Sequence, residues 1–501
     1  MVRLAESIAF ARGAKPDSLT SKKLNNNLLK MGERMRIQRR WLTGLLLATS
    51  FTMGGVLGAS AQDDEALAYY RQAKIDWRQA AGQLLTIGLN KHPFTESLLP
   101  LIPQFRALTG INVEYLILPE AEYFTKLVAD LSQQRGEFSV IMTGPVRNWQ
   151  YVSPGWILGL DDFLNNPKLT DKDWFKLDDF YPALIAANRW NGKTGGGVGE
   201  GPLYSIPVLE ESYILAYRKD IFDQYNIKVP TTLEEMAEAA RLVKKNAGIP
   251  GIVARGTPSV ASMGTGFMSG LKAYTDGQWS EFDDKLNANF HDPRSVKFTE
   301  TWIGMVRESG PPNWANMQWY DAMEAFTAGQ AGMIVDADFF AANYEDPKKS
   351  KVAGKVGYAL IPVGPGGKPY AGLWTWALGI NQATKNKDAA WLFVQWATAQ
   401  RTLLNATISY RNYNPSRMSI MNDPRVQEIM GAWGGGSYLK TVAQNLETAR
   451  VAWIPQPERT RLGDIWARSL HEIYFQRMSA AEALKKASNE VDKVLKEAGI
   501  K

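Results

Sequence analysis

LLTIGLNKHPFTESLLPLIPQFRALTGINVEYLIL, residues 84–118, decides the fold class. The apolar run LLTIGLN (84–90) reads as a strand, KHPF as a loop, and a helix begins near Thr95 with Glu96 in its first turn. The turn LTG (108–110) then leads into a second strand, INVEYLIL (111–118). Strand, helix and strand within this length form the unit of a parallel sheet with helical crossovers. The register continues outward: 121–134 carries apolar residues at helical spacing, and FSVIMTG (138–144) is a buried strand stopped by Gly-Pro.

A second patterned region spans 204–245. It predicts a strand ending in Glu210 and Glu211, a strand YILAYR, a short helix, and then Thr231 or Thr232 capping a longer helix with Glu234 and Glu235 in its first turn. Beyond it lie an aromatic-rich helical region (296–330), a strand AGMIVD (331–336), a turn-rich stretch (354–380), a helix (387–405) and a C-terminal helix capped by Ser479. Two α/β lobes, each with its own sheet, fit this order and the length of 501 residues.

Cysteine is absent, which excludes disulfides, thiolate metal sites and cysteine nucleophiles. His92, His291 and His471 are the only histidines, with no metal-ligand spacing among them, so neither metal nor cofactor is expected. The formal charge of +6 comes from the first 61 residues, which hold +7 and leave −1 for the remainder. Basicity is therefore no argument for nucleic-acid binding. Within that leader, Arg36, Arg39 and Arg40 precede WLTGLLLATSFTMGGVLG and then Ala59-Ser60-Ala61, the order of a secretory signal peptide over residues 35–61. Residues 62–82 read as a polar helical extension.

TGGGVGEG (194–201) has the glycine content of a phosphate cradle without its GK[ST] ending, and reads as a surface loop. Of the acidic pairs, Glu210-Glu211 stands out because it interrupts apolar strands; two charges there are costly unless they meet solvent or a polar ligand. Glu211 is the stronger ligand or hinge candidate, followed by Asp336 at a strand end. Tryptophans amid polar neighbours suit stacking on a hydroxylated ligand: Trp149, Trp314, Trp319, and the pair Trp374 and Trp376 in GLWTWALGI, of which one is expected on the ligand and one in packing.

The segments LIPQFRALTGINVEY, YSIPVLEESYILAYRKDIFDQYNIKVPTTLEEM, FTAGQAGMIVDADFF, GKVGYALIPVGPGGKPYAGLWTWALGI and NPSRMSIMNDP, in this order behind a signal peptide, resemble extracellular solute-binding proteins of sugar ABC importers, the maltose-binding-protein group. The resemblance covers about residues 83–500. It implies a type II periplasmic-binding-protein fold: two lobes of mixed sheet flanked by helices, hinged, closing on ligand without catalysis. Lobe boundaries are expected at 83–208 plus 369–418 and 209–368 plus 419–501. Carried over position by position, the ligand contacts fall on His92 with Phe94 and Glu96, Glu120, Arg147 with Trp149, Glu211, Phe339 and the Gly372–Trp376 segment, Asp336 being added from the strand-end argument. Two departures stand out: Ser139 replaces a usual aspartate, and Pro145-Val146 replaces an acidic residue before the arginine, which points away from a maltodextrin.

The expectation is thus the monomeric, periplasmic binding component of a carbohydrate or sugar-alcohol importer, partnered by permease subunits of the inner membrane. The alternatives are a secreted glycoside hydrolase, for which no acid/nucleophile pair is identifiable, and a receptor for a non-sugar solute such as glycerol phosphate, for which Arg147 is the one cation placed.

Overall fold

The computed structural model describes residues 67–365 and 367–501; the expected signal peptide lies outside the described residues. The opening passage forms β1 (Leu84–Asn90), α1 (Pro93–Leu98), α2 (Ile102–Thr109) and β2 (Asn112–Leu118). β1 and β2 pair in parallel from Leu84 with Asn112 to Asn90 with Leu118. Gly110 ends α2 at φ 71°, a left-handed turn that a side chain resists. Next come α3 (Glu120–Ser132), β3 (Val140–Thr143) parallel to β1, and α4 (Pro145–Val152), which has Pro145 at its first position.

A short ribbon of β4 (Arg189–Trp190) and β5 (Val198–Leu203) comes next, so the glycine-rich stretch read as a loop is in part a strand. β6 (Ser205–Pro207) returns to the first sheet, whose strand order, counting β11 (Ala377–Ile380), is β2-β1-β3-β11-β6. β7 (Glu211–Arg218) is central to a second sheet, with β8 (Met333–Ala337) on one edge and β9 (Val356–Ala359) and β10 (Leu373–Trp374) on the other. β11 (Ala377–Ile380) lies in the first sheet. The helix Leu233–Ala247 begins at Thr232, whose side chain forms a capping box with Glu235.

The extension at 67–82 is not a polar outrigger. It is helical at 67–71 and then turns. Leu67, Tyr70, Ala73, Trp77 and Ala80 are buried at a spacing of three to four residues. Tyr70 Oη lies 2.7 Å from Thr402 Oγ1, and Trp77 meets Trp174 edge-on at 5.6 Å. The segment is therefore part of the first core.

The chain crosses between sheets at 208–210 and 375–376, and the segment 412–416 runs beside the first of these, Pro415 bridging Leu209. These segments are tied together: Val208 N–H donates to Trp376 O (2.8 Å), Glu210 N–H to Asn414 O (3.0 Å), and Thr375 Oγ1 to Leu209 O (2.7 Å). The boundary expected at 369 is displaced, because Leu373 and Trp374 pair with Ser212 and Glu211 in the second sheet. GLWTWALGI is thus two strands in two sheets, broken at the crossing.

Candidate functional site

A cleft lies between the sheets. The first lobe supplies it from the carboxyl ends of its parallel strands: His92 after β1, Glu120 and Phe124 after β2, and Val146 and Arg147 after β3, joined by Trp376 ahead of β11. Carboxyl ends are where open α/β sheets bind ligands, since the loops and helix starts there are free to vary. The second lobe contributes Glu211 and Tyr213 from β7, Arg255, Trp319, Phe339 just after β8, Leu373 and Trp374 from β10, and Trp453.

His92 caps α1, its Nδ1 accepting from Phe94 N–H at 3.1 Å. Burial pushes its pKa down to about 3, so the ring is neutral and its proton sits on Nε2 as a donor. Trp319, Phe339 and Trp376 surround this ring at 5.9, 5.4 and 5.5 Å. Trp374 and Trp376 both border the cleft, meeting edge-on at 5.5 Å and 83°, with Trp376 the more buried of the two. Gly144 makes room for this, because a Cβ there would stand 2.5 Å from Trp374 Cζ2.

Arg255 holds Asp336 through two bonds, Nε to Oδ2 at 2.8 Å and Nη2 to Oδ1 at 2.5 Å, and its Nη2 lies 3.7 Å from Glu211 Oε1. Tyr213 Oη donates to the same Glu211 oxygen at 3.0 Å. Burial raises the Glu211 pKa from 4.5 to about 8; Arg255 opposes the shift and Asp336 reinforces it. Glu210 is buried beside Asp338 rather than in the cleft, and desolvation with that neighbour holds it well above the carboxylate range.

A native state that keeps protons on Glu211 and Glu210 where the unfolded chain has released them loses stability as pH rises. His92, depressed when folded, acts in the opposite sense only below its unfolded pKa of about 6.5. Stability of the ligand-free protein is therefore expected to fall from about pH 6.5 to pH 8. Glu211→Gln should flatten this slope in urea titrations across that range.

Two contacts close the mouth of the cleft. Trp319 Nε1–H donates to Glu120 Oε2 (3.1 Å), and Arg147 Nη1 donates to Thr460 Oγ1 (3.0 Å) while its guanidinium lies 4.0 Å from the Phe124 ring centre.

Of the residues expected at the site, His92, Glu120, Arg147, Glu211, Phe339, Trp374 and Trp376 come together. Phe94 and Trp149 are core, and Glu96 is exposed outside the cleft. The reason is helical geometry: Trp149 comes two residues after Arg147 in α4 and so points to nearly the opposite face. Asp336 lies behind the wall, its carboxylate engaged by Arg255. Trp314 is core as well, donating to Arg255 O at 3.1 Å. Sequence reasoning missed Arg255, Tyr213, Phe124 and Trp453. Arg255 could have been found by the argument that picked out Glu211, a lone charge in the apolar run IVAR.

Residues 91–402 match the family model for the bacterial extracellular solute-binding protein. The erythritol/L-threitol-binding protein of Mycolicibacterium smegmatis is 32% identical over 401 residues, 80% of this chain and 83% of that one. The mannitol-binding protein of Pseudomonas aeruginosa is 27% identical over 58% of this chain and 63% of its own length. Among solved structures, the ABC transporter solute-binding protein of Agrobacterium radiobacter K84 in complex with ribitol superposes with a TM-score of 0.73 at 25% identity, covering 83% of this chain and 99% of that one. A two-lobed fold with an interlobe cleft and these relatives lead to one assignment: the chain belongs to the bacterial extracellular solute-binding proteins, a family of binding proteins rather than enzymes.

Proposed function

We propose that this protein is the periplasmic receptor of an ABC importer for a short, linear sugar alcohol, working as a monomer that hands its ligand to permease subunits in the inner membrane after export by the 35–61 signal. The observation that carries the ligand class is the shape of the aromatic wall. Trp374 and Trp376 stand at 83° to one another, and the rings around His92 are tilted by 46° to 54°. Such a box offers edges and faces in several directions, which suits the C–H groups of an extended chain better than the flat face of a pyranose. Around it, His92 Nε2–H, Arg147, Glu120 and Glu211 supply donors and acceptors for hydroxyls.

The relatives that bind erythritol, L-threitol and mannitol, and the structure holding ribitol, support the same class. A phosphorylated ligand fits less well, because Arg255 is already neutralised by Asp336 and two carboxyl groups face the cleft.

Titration calorimetry with erythritol, ribitol and mannitol against glucose and maltose tests the proposal. Binding of at least one polyol at a Kd a hundredfold or more below that of maltose is expected; sugars binding in place of polyols would overturn it. Glu211→Ala should cost about 0.5–1.5 kcal/mol of polyol affinity at neutral pH, the range for a hydrogen bond between neutral groups, because the buried carboxyl keeps its proton there.

A further inference from the structure

The ribbon β4–β5 is rooted in the first lobe, where Asp161 accepts from Arg189 Nη2 at 2.8 Å and from Leu203 N–H at 2.7 Å. Its tip reaches the other lobe. Gly195 N–H donates to Pro455 O at 2.8 Å, and a Cβ on Gly195, whose φ is +86°, would stand 3.2 Å from Leu286 Cδ2. Pro455 belongs to the loop 449–458 that brings Trp453 into the cleft.

That loop is braced from behind. Leu373 N–H donates to Arg450 O (2.9 Å) and Arg450 N–H to Ala371 O (3.1 Å), fastening the loop to β10. Glu281 accepts from Ile454 N–H at 2.5 Å and from Arg459 Nη1 at 2.6 Å, with both side chains of the ion pair fully buried. The Arg459 guanidinium lies 4.3 Å from the Trp453 ring centre, and its Nε and Nη2 have no hydrogen-bond acceptor, so the π face of the indole is what offsets them.

The cleft is not bounded alike on all sides. Past Glu120, Phe124 and Arg147 it continues into an outer chamber that includes Gln150 and Asp464, and Trp453 does not border that chamber. A chain-like ligand can lengthen toward the chamber, whereas lengthening toward Trp453 meets an indole fixed by a buried ion pair.

We infer that the glycine-rich hairpin 190–203 is a strap fastening the Trp453 loop across the interlobe gap, and that Trp453 limits how far a ligand extends on its side of the cleft. The length claim rests on the polyol reading above; the strap does not.

Both are tested on the full chain. Replacing residues 192–196 by Asn-Gly should speed hydrogen exchange of the Trp453 and Ile454 amides at least tenfold, with β1 and β7 unchanged. Equal exchange in the loop would overturn the strap. If the shortened hairpin unfolds the chain, Gly195→Ala displaces the tip alone, being strained at its φ and crowded by Leu286, and is read in the same way. For length, Trp453→Leu should change the ratio of mannitol to erythritol affinity at least tenfold in favour of mannitol. Equal weakening of both would overturn the role of Trp453. A wild-type protein that binds neither would overturn the polyol reading and the length claim with it, while the exchange result would still decide the strap.

Discussion

Arg255→Met is expected to destabilise the ligand-free protein by about 3–5 kcal/mol, the cost of leaving one partner of a buried ion pair uncompensated. Asp336 has 1% of its side chain exposed and Arg255 8%, so solvent cannot replace the lost guanidinium. Arg255 also borders the cleft with its Nη2 3.7 Å from Glu211 Oε1, so the substitution removes a donor and a brace from the wall and polyol affinity should fall as well. The double variant Arg255→Met with Asp336→Asn, which removes both charges, should recover much of the stability and none of the affinity. Chemical denaturation of the two variants and the wild type at one pH provides the comparison; equal loss in the single and double variants would show that shape rather than charge balance sets the cost.

Trp376→Ala should cost about 3–5 kcal/mol of stability, in the range for a large aromatic truncated in a core. Trp376 is 4% exposed and touches His92, Phe124 and Trp374. Trp374 is less buried, and Trp374→Ala should act mainly on binding, with a loss of about 2 kcal/mol, as for an interface tryptophan. Measuring denaturation midpoint and Kd for both variants separates the roles. Equal stability losses with unchanged Kd would remove both residues from the ligand.

The sheet framework was legible because its signals are local. β1, α2 and β2 are bounded by turn residues, and the Thr232 cap with Glu235 three positions on marks a helix start without reference to the rest of the chain. His92, Glu120 and Arg147 were legible through the family resemblance, whose ligand contacts fall on those positions; each stands just past a parallel strand, where open α/β sheets bind ligands. Glu211 was legible as a charge inside an apolar strand.

What escaped depends on distant pairing. Arg255 lies just past Val253, which forms a single bridge to Ile334, too short a pairing to leave an alternating pattern, and its partner Asp336 is 81 residues away. Phe124 continues the apolar face of α3 and reads as core, although it lines the cleft. Trp453 stands in a stretch with no period at all, held by Glu281, which is 173 residues from Ile454. Gly372, beside the tryptophan pair, suits the close approach of a ligand in sequence, but a Cβ there would collide with Ser269 Oγ, so it accommodates packing within the second lobe.

The two-residue step at Thr375 and Trp376 has a consequence for the order of events in binding. Trp374 and Trp376 sit where the chain passes from one sheet to the other, at the pivot of any rotation between lobes, whereas Glu120–Trp319 and Arg147–Thr460 meet at the mouth. Displacement in a rotation grows with distance from its axis, so the pivot pair keeps its place while the mouth contacts part by the most. A ligand can therefore dock on the two indoles before the lobes come together, and the mouth contacts form last. Pivot substitutions should then change how fast ligand is captured as well as how long it stays, while substitutions of Glu120 or Thr460 should shorten the residence time and leave the capture rate nearly unchanged.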